Sequence, residues 1–218
     1  MKKLTAIILM LALLLSALCV PALAESWPKI ELKGTPVVMN TNEMDKDFRQ
    51  QSHSGPGRDF SESGAYLPRK LVSLTAYYRE NGYVLAEVDY RSGKRFVYFL
   101  ESDLQPTEAE TVTWTAYPAT VQAGGRVYYG PGTQYSLVTK REESPYIDFT
   151  WDELMILFDG DEKKIEKALE DVFIPVTLDA GSRVSALFEV NGWVFCEFTS
   201  SQIGLARAWF PAEQLAAD

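Results

Sequence analysis

The 218-residue sequence predicts a mainly β protein made of two related, short-stranded meanders, the second interrupted by a helical hairpin. Three observations carry that expectation. Two motif pairs recur in the same order along the chain. An Asn-Gly dipeptide separates strand-like runs in each copy, and one stretch of the second copy has helical spacing.

The segment Gly55-Pro56-Gly57-Arg58-Asp59-Phe60-Ser61 recurs as Gly130-Pro131-Gly132-Thr133-Gln134-Tyr135-Ser136. Asn81-Gly82-Tyr83-Val84-Leu85-Ala86-Glu87-Val88 recurs as Asn191-Gly192-Trp193-Val194-Phe195-Cys196-Glu197-Phe198. A self-similarity of this kind organises the architecture before any local reading does.

The elements follow in order. Lys2-Lys3, the apolar run Leu4–Val20 and Ala22-Leu23-Ala24 read as a secretion signal over residues 1–24, cut after Ala24. A retained anchor needs roughly 20 apolar residues, and Pro21 with Glu25-Ser26 ends the run sooner. Within an N-terminal extension, Val37-Val38-Met39 is the expected counterpart of Ala119-Thr120-Val121. Each Asn-Gly joins two strands, Leu71–Tyr78 or Arg183–Val190 on one side and the recurring aromatic segment on the other. This is the strongest short-range signal for a hairpin with both turn residues at positive φ. A polar break and an aromatic strand follow, Phe96–Leu100 or Leu205–Phe210. The units close on Ser102-Asp103-Leu104 and Glu213-Gln214-Leu215.

The two units are expected over 25–105 and 112–218, with 106–111 as linker. The second unit is longer between its two motifs, and the surplus, about 148–174, is expected to be helical. Thr150-Trp151-Asp152-Glu153 has the form of a capping box, in which a Thr hydroxyl and a Glu carboxylate satisfy amides of the first turn. Leu154, Ile156, Leu157 and Phe158 give an apolar face, and Ile165, Ala168, Leu169 and Val172 give another at helical spacing. Pro175 ends the hairpin.

Without residues 1–24 the chain keeps 194 residues (218 − 24), with 19 basic side chains (21 − 2) against 30 acidic ones. Such an acidic surface disfavours nucleic acid and anionic lipid as partners held by charge. Cys19 leaves with the signal, so Cys196 is the one remaining thiol and forms no internal disulfide. Strand alternation makes Cys196 a small core hydrophobe; a reactive thiol needs an activating base nearby. His53, the single histidine, is expected as an exposed turn residue, and His-based metal sites are excluded. Asp148, Asp152 and Glu153 lie close together, and glycoside hydrolysis uses a carboxylate pair ~5–10 Å apart. Glu153 already has a capping role, and no phosphate loop, dinucleotide fingerprint or calcium loop is present. No catalytic residue, metal or cofactor is assigned.

Taken together, Val127-Tyr128-Tyr129-Gly130-Pro131-Gly132-Thr133-Gln134-Tyr135, Glu189-Val190-Asn191-Gly192-Trp193-Val194 and Ala208-Trp209-Phe210-Pro211-Ala212-Glu213-Gln214-Leu215 resemble the bacterial SH3-like domain of exported, cell-wall-associated proteins. Gly55-Pro56-Gly57, Glu80-Asn81-Gly82-Tyr83-Val84 and Val97-Tyr98-Phe99-Leu100 resemble it less closely. The resemblance covers about three quarters of the mature chain. It implies two small SH3-like barrels in tandem and a secreted, extracytoplasmic binding module for peptidoglycan, through its stem peptide or its glycan. The alternative is a protein-interaction or envelope-scaffold module acting through the helical insertion. The chain departs from the family where its Arg is replaced by His53 and Tyr128, and where Tyr129 stands at a usually small position, so no Arg–ligand contact carries over. Aromatic faces stack on sugars and pack on peptides. The expected ligand-binding residues are therefore Tyr128, Tyr129, Tyr135, Trp193 and Trp209. The barrel's own core competes for these rings, for Trp193 and Trp209 above all.

Overall fold

The computed structural model describes residues 27–39, 50–66, 73–90, 93–122, 124–141, 149–170 and 173–218. The expected signal segment and Asp148 lie outside the described residues. Among the described residues the protein is mainly β, with two antiparallel sheets and two short helices. The first sheet comprises β1 (Thr35–Val38), β2 (Gln50–His53), β3 (Glu62–Tyr66), β4 (Ser73–Glu80), β5 (Tyr83–Tyr90) and β6 (Gly93–Leu100), ordered β1-β4-β5-β6-β2-β3. A seventh strand, β7 (Glu110–Thr111), runs parallel to β4.

The chain continues through β8 (Tyr117–Val121), β9 (Gly125–Arg126) and β10 (Thr139–Arg141) to the helices α1 (Trp151–Leu157) and α2 (Glu162–Glu170). It then forms β11 (Phe173–Pro175), β12 (Thr177–Leu178), β13 (Arg183–Val190), β14 (Trp193–Ser200), β15 (Gly204–Pro211) and β16 (Leu215–Ala217). The second sheet is ordered β15-β14-β13-β8-β16, with β9–β12 and β10–β11 as small ladders beside it. Among the described residues no helix is long and apolar enough to cross a membrane.

The repeat holds residue by residue. Asn81 and Gly82 sit at φ 51° and 77°, Asn191 and Gly192 at 49° and 82°. Both hairpins close in the same register, Glu80 opposite Tyr83 and Val190 opposite Trp193. Asn tolerates this left-handed region and Gly adopts it freely, which is why the dipeptide sets the register. Each strand before the turn carries a bulge at the same step, Tyr77 in β4 and Leu187 in β13. Val37 pairs with Leu74 as Ala119 pairs with Val184, which establishes the expected match of the opening strands. Both units close through a one-turn 3₁₀ helix, Glu101–Asp103 or Ala212–Gln214, whose first N–H donates to the carbonyl of Gly82 or Gly192.

The helical hairpin is connected to β10 and β11, which pair with each other. Its capping box is complete: the Thr150 N–H donates to Glu153 Oε2 at 2.6 Å, and the Glu153 N–H donates to Thr150 Oγ1 at 3.3 Å. Asp161 does the same work for α2, accepting from the Lys164 N–H at 3.2 Å.

Two apolar cores lie within the halves, one around Val84, Val97 and Phe99, the other around Val121, Val194 and Phe210. A third lies between them. It joins Tyr78, Tyr83, Leu85, Phe96 and Tyr98 of the first half to Leu187, Phe188, Val190, Phe195 and Trp209 of the second. Burying a large apolar side chain contributes about 1.5–3 kcal/mol, so a shared cluster of this size fastens the halves to each other.

Backbone pairing adds a reciprocal exchange. The Ile30 N–H donates to the Glu189 carbonyl of β13 at 2.9 Å, and the Val112 N–H donates to the Arg79 carbonyl of β4 at 2.9 Å. The arm before the first opening strand thus docks on the second half, and the arm before the second opening strand docks on the first. Segment 106–111, expected as a linker, accordingly ends in strand β7.

Candidate functional site

The five expected site residues gather at the junction of the two halves. Adjacent strand residues point to opposite faces, and Tyr128 and Tyr129 obey that rule. Tyr129 is buried and Tyr128 half-buried. Tyr128 and Trp209 exchange both backbone hydrogen bonds, at 2.9 and 3.0 Å. The Tyr128 ring stands edge-on to Trp193, centroids 5.0 Å apart, and both rings keep part of their surface.

The Gly-Pro-Gly turn positions Tyr135. A Cβ on Gly130 would lie 2.2 Å from the Tyr135 ring, so glycine is what lets the ring fold onto the turn. The first half repeats the device, with Gly55 under Phe60 at 2.1 Å. Tyr135 is half-buried against Phe96, and its hydroxyl donates to Glu87 Oε2 at 2.5 Å across the junction. Burial, reinforced by that hydrogen bond and the Glu87 charge, pushes the phenol well above its ordinary range.

Trp209 is fully buried, packed against Phe96 at 5.6 Å, Phe188 at 5.5 Å and Phe195 at 4.9 Å. Its Nε1–H has no hydrogen-bond acceptor among the described residues. Ring packing therefore drives its burial, and Trp209 belongs to the competing role of core residue. Tyr129 is also enclosed, beneath the Arg95 guanidinium of the other half at 4.4 Å. Burial raises its phenol pKa while Arg95 opposes the shift. Tyr128, Tyr135 and Trp193 are the members that retain exposed surface.

His53 corrects an expectation. It is not an exposed turn residue: it lies in β2, opposite Tyr98 of β6, and is buried. Its ring stands edge-on to Tyr83 at 5.8 Å, the repeat counterpart of the Tyr128–Trp193 pair. Strand pairing on both sides of β2 encloses it, which turn-like composition could not reveal. Cys196 is fully buried in the core of the second half, and burial raises its thiol well above the ordinary value. Glu153 is committed to its helix cap, and hydrogen bonds from the Thr150 backbone and hydroxyl lower its pKa. Among the described residues no three His, Cys, Asp or Glu side chains gather to hold a metal ion.

Sequence reasoning missed Glu80, Glu87, Arg95 and Arg207, which frame the junction. Arg207 faces Glu80 at 2.6 Å and Glu197 at 2.9 Å. Burial works against its charge, but Tyr98, Glu80 and Glu197 hold the guanidinium above the ordinary arginine range. The signal was a charged residue in a strand whose repeat counterpart, Phe96, is apolar.

The arrangement is that of a mainly β protein of two repeat-related sheets sharing an aromatic junction. No family model and no curated protein matches the chain. Two solved structures resemble it, those of NlpC1 and NlpC2 from Trichomonas vaginalis, each 11% identical with a TM-score of 0.28. The matches cover 88% and 87% of this chain, and the chain spans about half of theirs, 49% and 50%.

Proposed function

We propose that this chain is a secreted, non-catalytic binding protein of two bacterial SH3-like units in tandem, the second carrying the helical insertion, and that it recognises peptidoglycan. The observation that supports this most is the Tyr128–Trp193 pair. Its rings stand edge-on with part of their surface exposed, while the corresponding His53–Tyr83 pair is buried. A partly exposed aromatic pair, with Tyr128 held by backbone pairing to Trp209, suits a sugar face or an extended peptide. Glu153 serves the helix cap and Cys196 is enclosed, which supports a binding role over catalysis by those groups.

The test is co-sedimentation of residues 25–218 with purified sacculi at low and moderate salt. Binding that survives salt and weakens in Tyr128→Ala and Trp193→Ala is expected. Equal sedimentation of wild type and both variants would remove the aromatic pair from the site, and no sedimentation at either salt would end the wall-binding reading for the sacculi tested.

A second reading, a protein-interaction module acting through the insertion, is favoured by one observation. Phe149, Ile156, Leu157 and Phe173 are the large apolar residues standing exposed among the described residues, Ile156 at 79%, and all belong to the insertion or its flanks. Retention of a protein partner by wild type but not by Ile156→Glu, with sacculi unbound by either, would decide for it.

A further inference from the structure

The reciprocal arms leave a cleft between them, of about 500 Å³, lined by Ile30, Glu31 and Lys33 of one arm, Glu108, Glu110 and Trp114 of the other, and by Tyr77 and Tyr78 of β4. A cleft of this size suits one small ligand or a single side chain with its backbone. None of the residues expected from the sequence to bind ligand lines it.

Its walls are built. Trp114 packs on Phe188 at 4.4 Å and edge-on to Tyr78 at 5.1 Å, so both rings are held by the junction core. Tyr77 is the bulge residue of β4 and stacks on Phe96 at 5.0 Å. Gly34 brings the arm against it: a Cβ there would lie 2.8 Å from the Tyr77 ring and 2.3 Å from Thr75. The cleft is therefore an aromatic recess closed by the first half's β4 and by both arms.

Its rim is acidic. Among the described residues, Glu31, Glu108 and Glu110 are exposed and carry no ion pair, and Lys33 is the one cation lining the cleft. Glu110 lies close enough to add to the raised pKa of Tyr78, which burial sets chiefly. Aromatic walls beneath a carboxylate rim fit an amphipathic cation, whose methylenes lie along the rings while its charged head stays at the wet edge. A neutral sugar leaves the three carboxylates without a purpose, and an anion is repelled by them.

We propose that this cleft binds a lysine-type side chain, an alkylammonium group carried on a peptide. The site is separate from the Tyr128–Trp193 surface and stands whether or not that surface binds peptidoglycan.

The experiment follows the Trp114 indole N–H by NMR, assigned through Trp114→Phe, in residues 25–218, a span that holds every described element. The probe is Nα-acetyl-lysine methylamide, compared with its norleucine analogue, which lacks the ammonium. Saturable shifts with the lysine probe alone are expected, weakened about two- to thirtyfold in Glu108→Gln/Glu110→Gln, since each exposed carboxylate contributes about 0.2–1 kcal/mol. Both glutamates are exposed, so the double variant is expected to keep the wild-type amide spectrum elsewhere. No saturable shift with the lysine probe, equal shifts with norleucine, or unchanged affinity in the double variant would overturn the proposal.

Discussion

Arg207 and Glu80 form a bidentate ion pair across the two halves. Nη1 lies 2.6 Å from Oε2 and Nη2 lies 3.2 Å from Oε1, with both side chains more than nine-tenths buried. Nη1 also donates to the Tyr98 hydroxyl at 3.2 Å, and Nε to Glu197. The repeat counterparts of these residues are Phe96 and Val190. The junction therefore repeats itself in shape but not in chemistry: one side is closed by rings and aliphatics, the other by a desolvated charge pair.

That asymmetry gives the first prediction. Removing one partner leaves the other charge buried and unpaired, so Arg207→Met or Glu80→Val is expected to destabilise the protein by about 3–5 kcal/mol. The combined Glu80→Val/Arg207→Met variant restores the apolar pattern of the opposite side and is expected to lose less than either single change, because Glu197 is one-third exposed and can hydrate. Urea denaturation of the three variants decides. A combined loss equal to the sum of the single losses would show that the pair does not act as a unit.

The repeat explains how much of this was legible. Asn81-Gly82 and Asn191-Gly192 announce their hairpins because positive φ at two adjacent positions is a strong local demand, and Thr150 with Glu153 announces α1 for the same local reason. The arms were not legible. Residues 29–30 and 110–112 pair with strands far away in sequence, and nothing in their own composition specifies that partner. The site divides likewise. The Gly-Pro-Gly turns pointed to Tyr128, Tyr129 and Tyr135, but whether a ring faces solvent or the other half depends on inter-sheet packing. Trp209 and His53 both went to the interior on that account.

The Gly-Pro-Gly turns yield the second prediction. Gly130→Ala sets a methyl 2.2 Å from the Tyr135 ring, and Gly55→Ala sets one 2.1 Å from Phe60. Overpacking of this kind costs about 1–3 kcal/mol. Thermal denaturation is expected to show both variants destabilised, and Tyr135→Ala is expected to remove most of the additional cost of Gly130→Ala. If Gly130→Ala costs the same with and without the ring, the glycine is required by the backbone and not by Tyr135.

Cys196 supplies the third. The thiolate is the reactive form, and burial both raises the thiol pKa and excludes reagent. A disulfide exchange reagent at neutral pH is expected to modify Cys196 only as fast as the protein opens, so added denaturant accelerates labelling in step with unfolding. Rapid labelling of the folded protein would contradict the packing around β14.

The last concerns acid and the helical hairpin. Glu153 and Asp161 are exposed caps whose pKa values are lowered, Glu153 by hydrogen bonds from the Thr150 backbone and hydroxyl, Asp161 by the backbone of Lys164 and its side chain. A carboxylate with a lowered folded pKa stabilises the fold fully above its ordinary value, 4.5 for Glu153 and 3.8 for Asp161, and loses that contribution as pH falls through the folded value. Amide exchange at Leu154, whose N–H donates to the Thr150 carbonyl at 2.9 Å, reports the first turn of α1. At neutral pH, Leu154 is expected to be better protected in wild type than in Glu153→Gln, which keeps a neutral acceptor at the same position. The difference in protection factor is expected to vanish below the carboxylate range, where the wild-type side chain is neutral too. A difference that persists unchanged into acid would mean that the charge on Glu153 contributes nothing, leaving the box held by neutral hydrogen bonds alone.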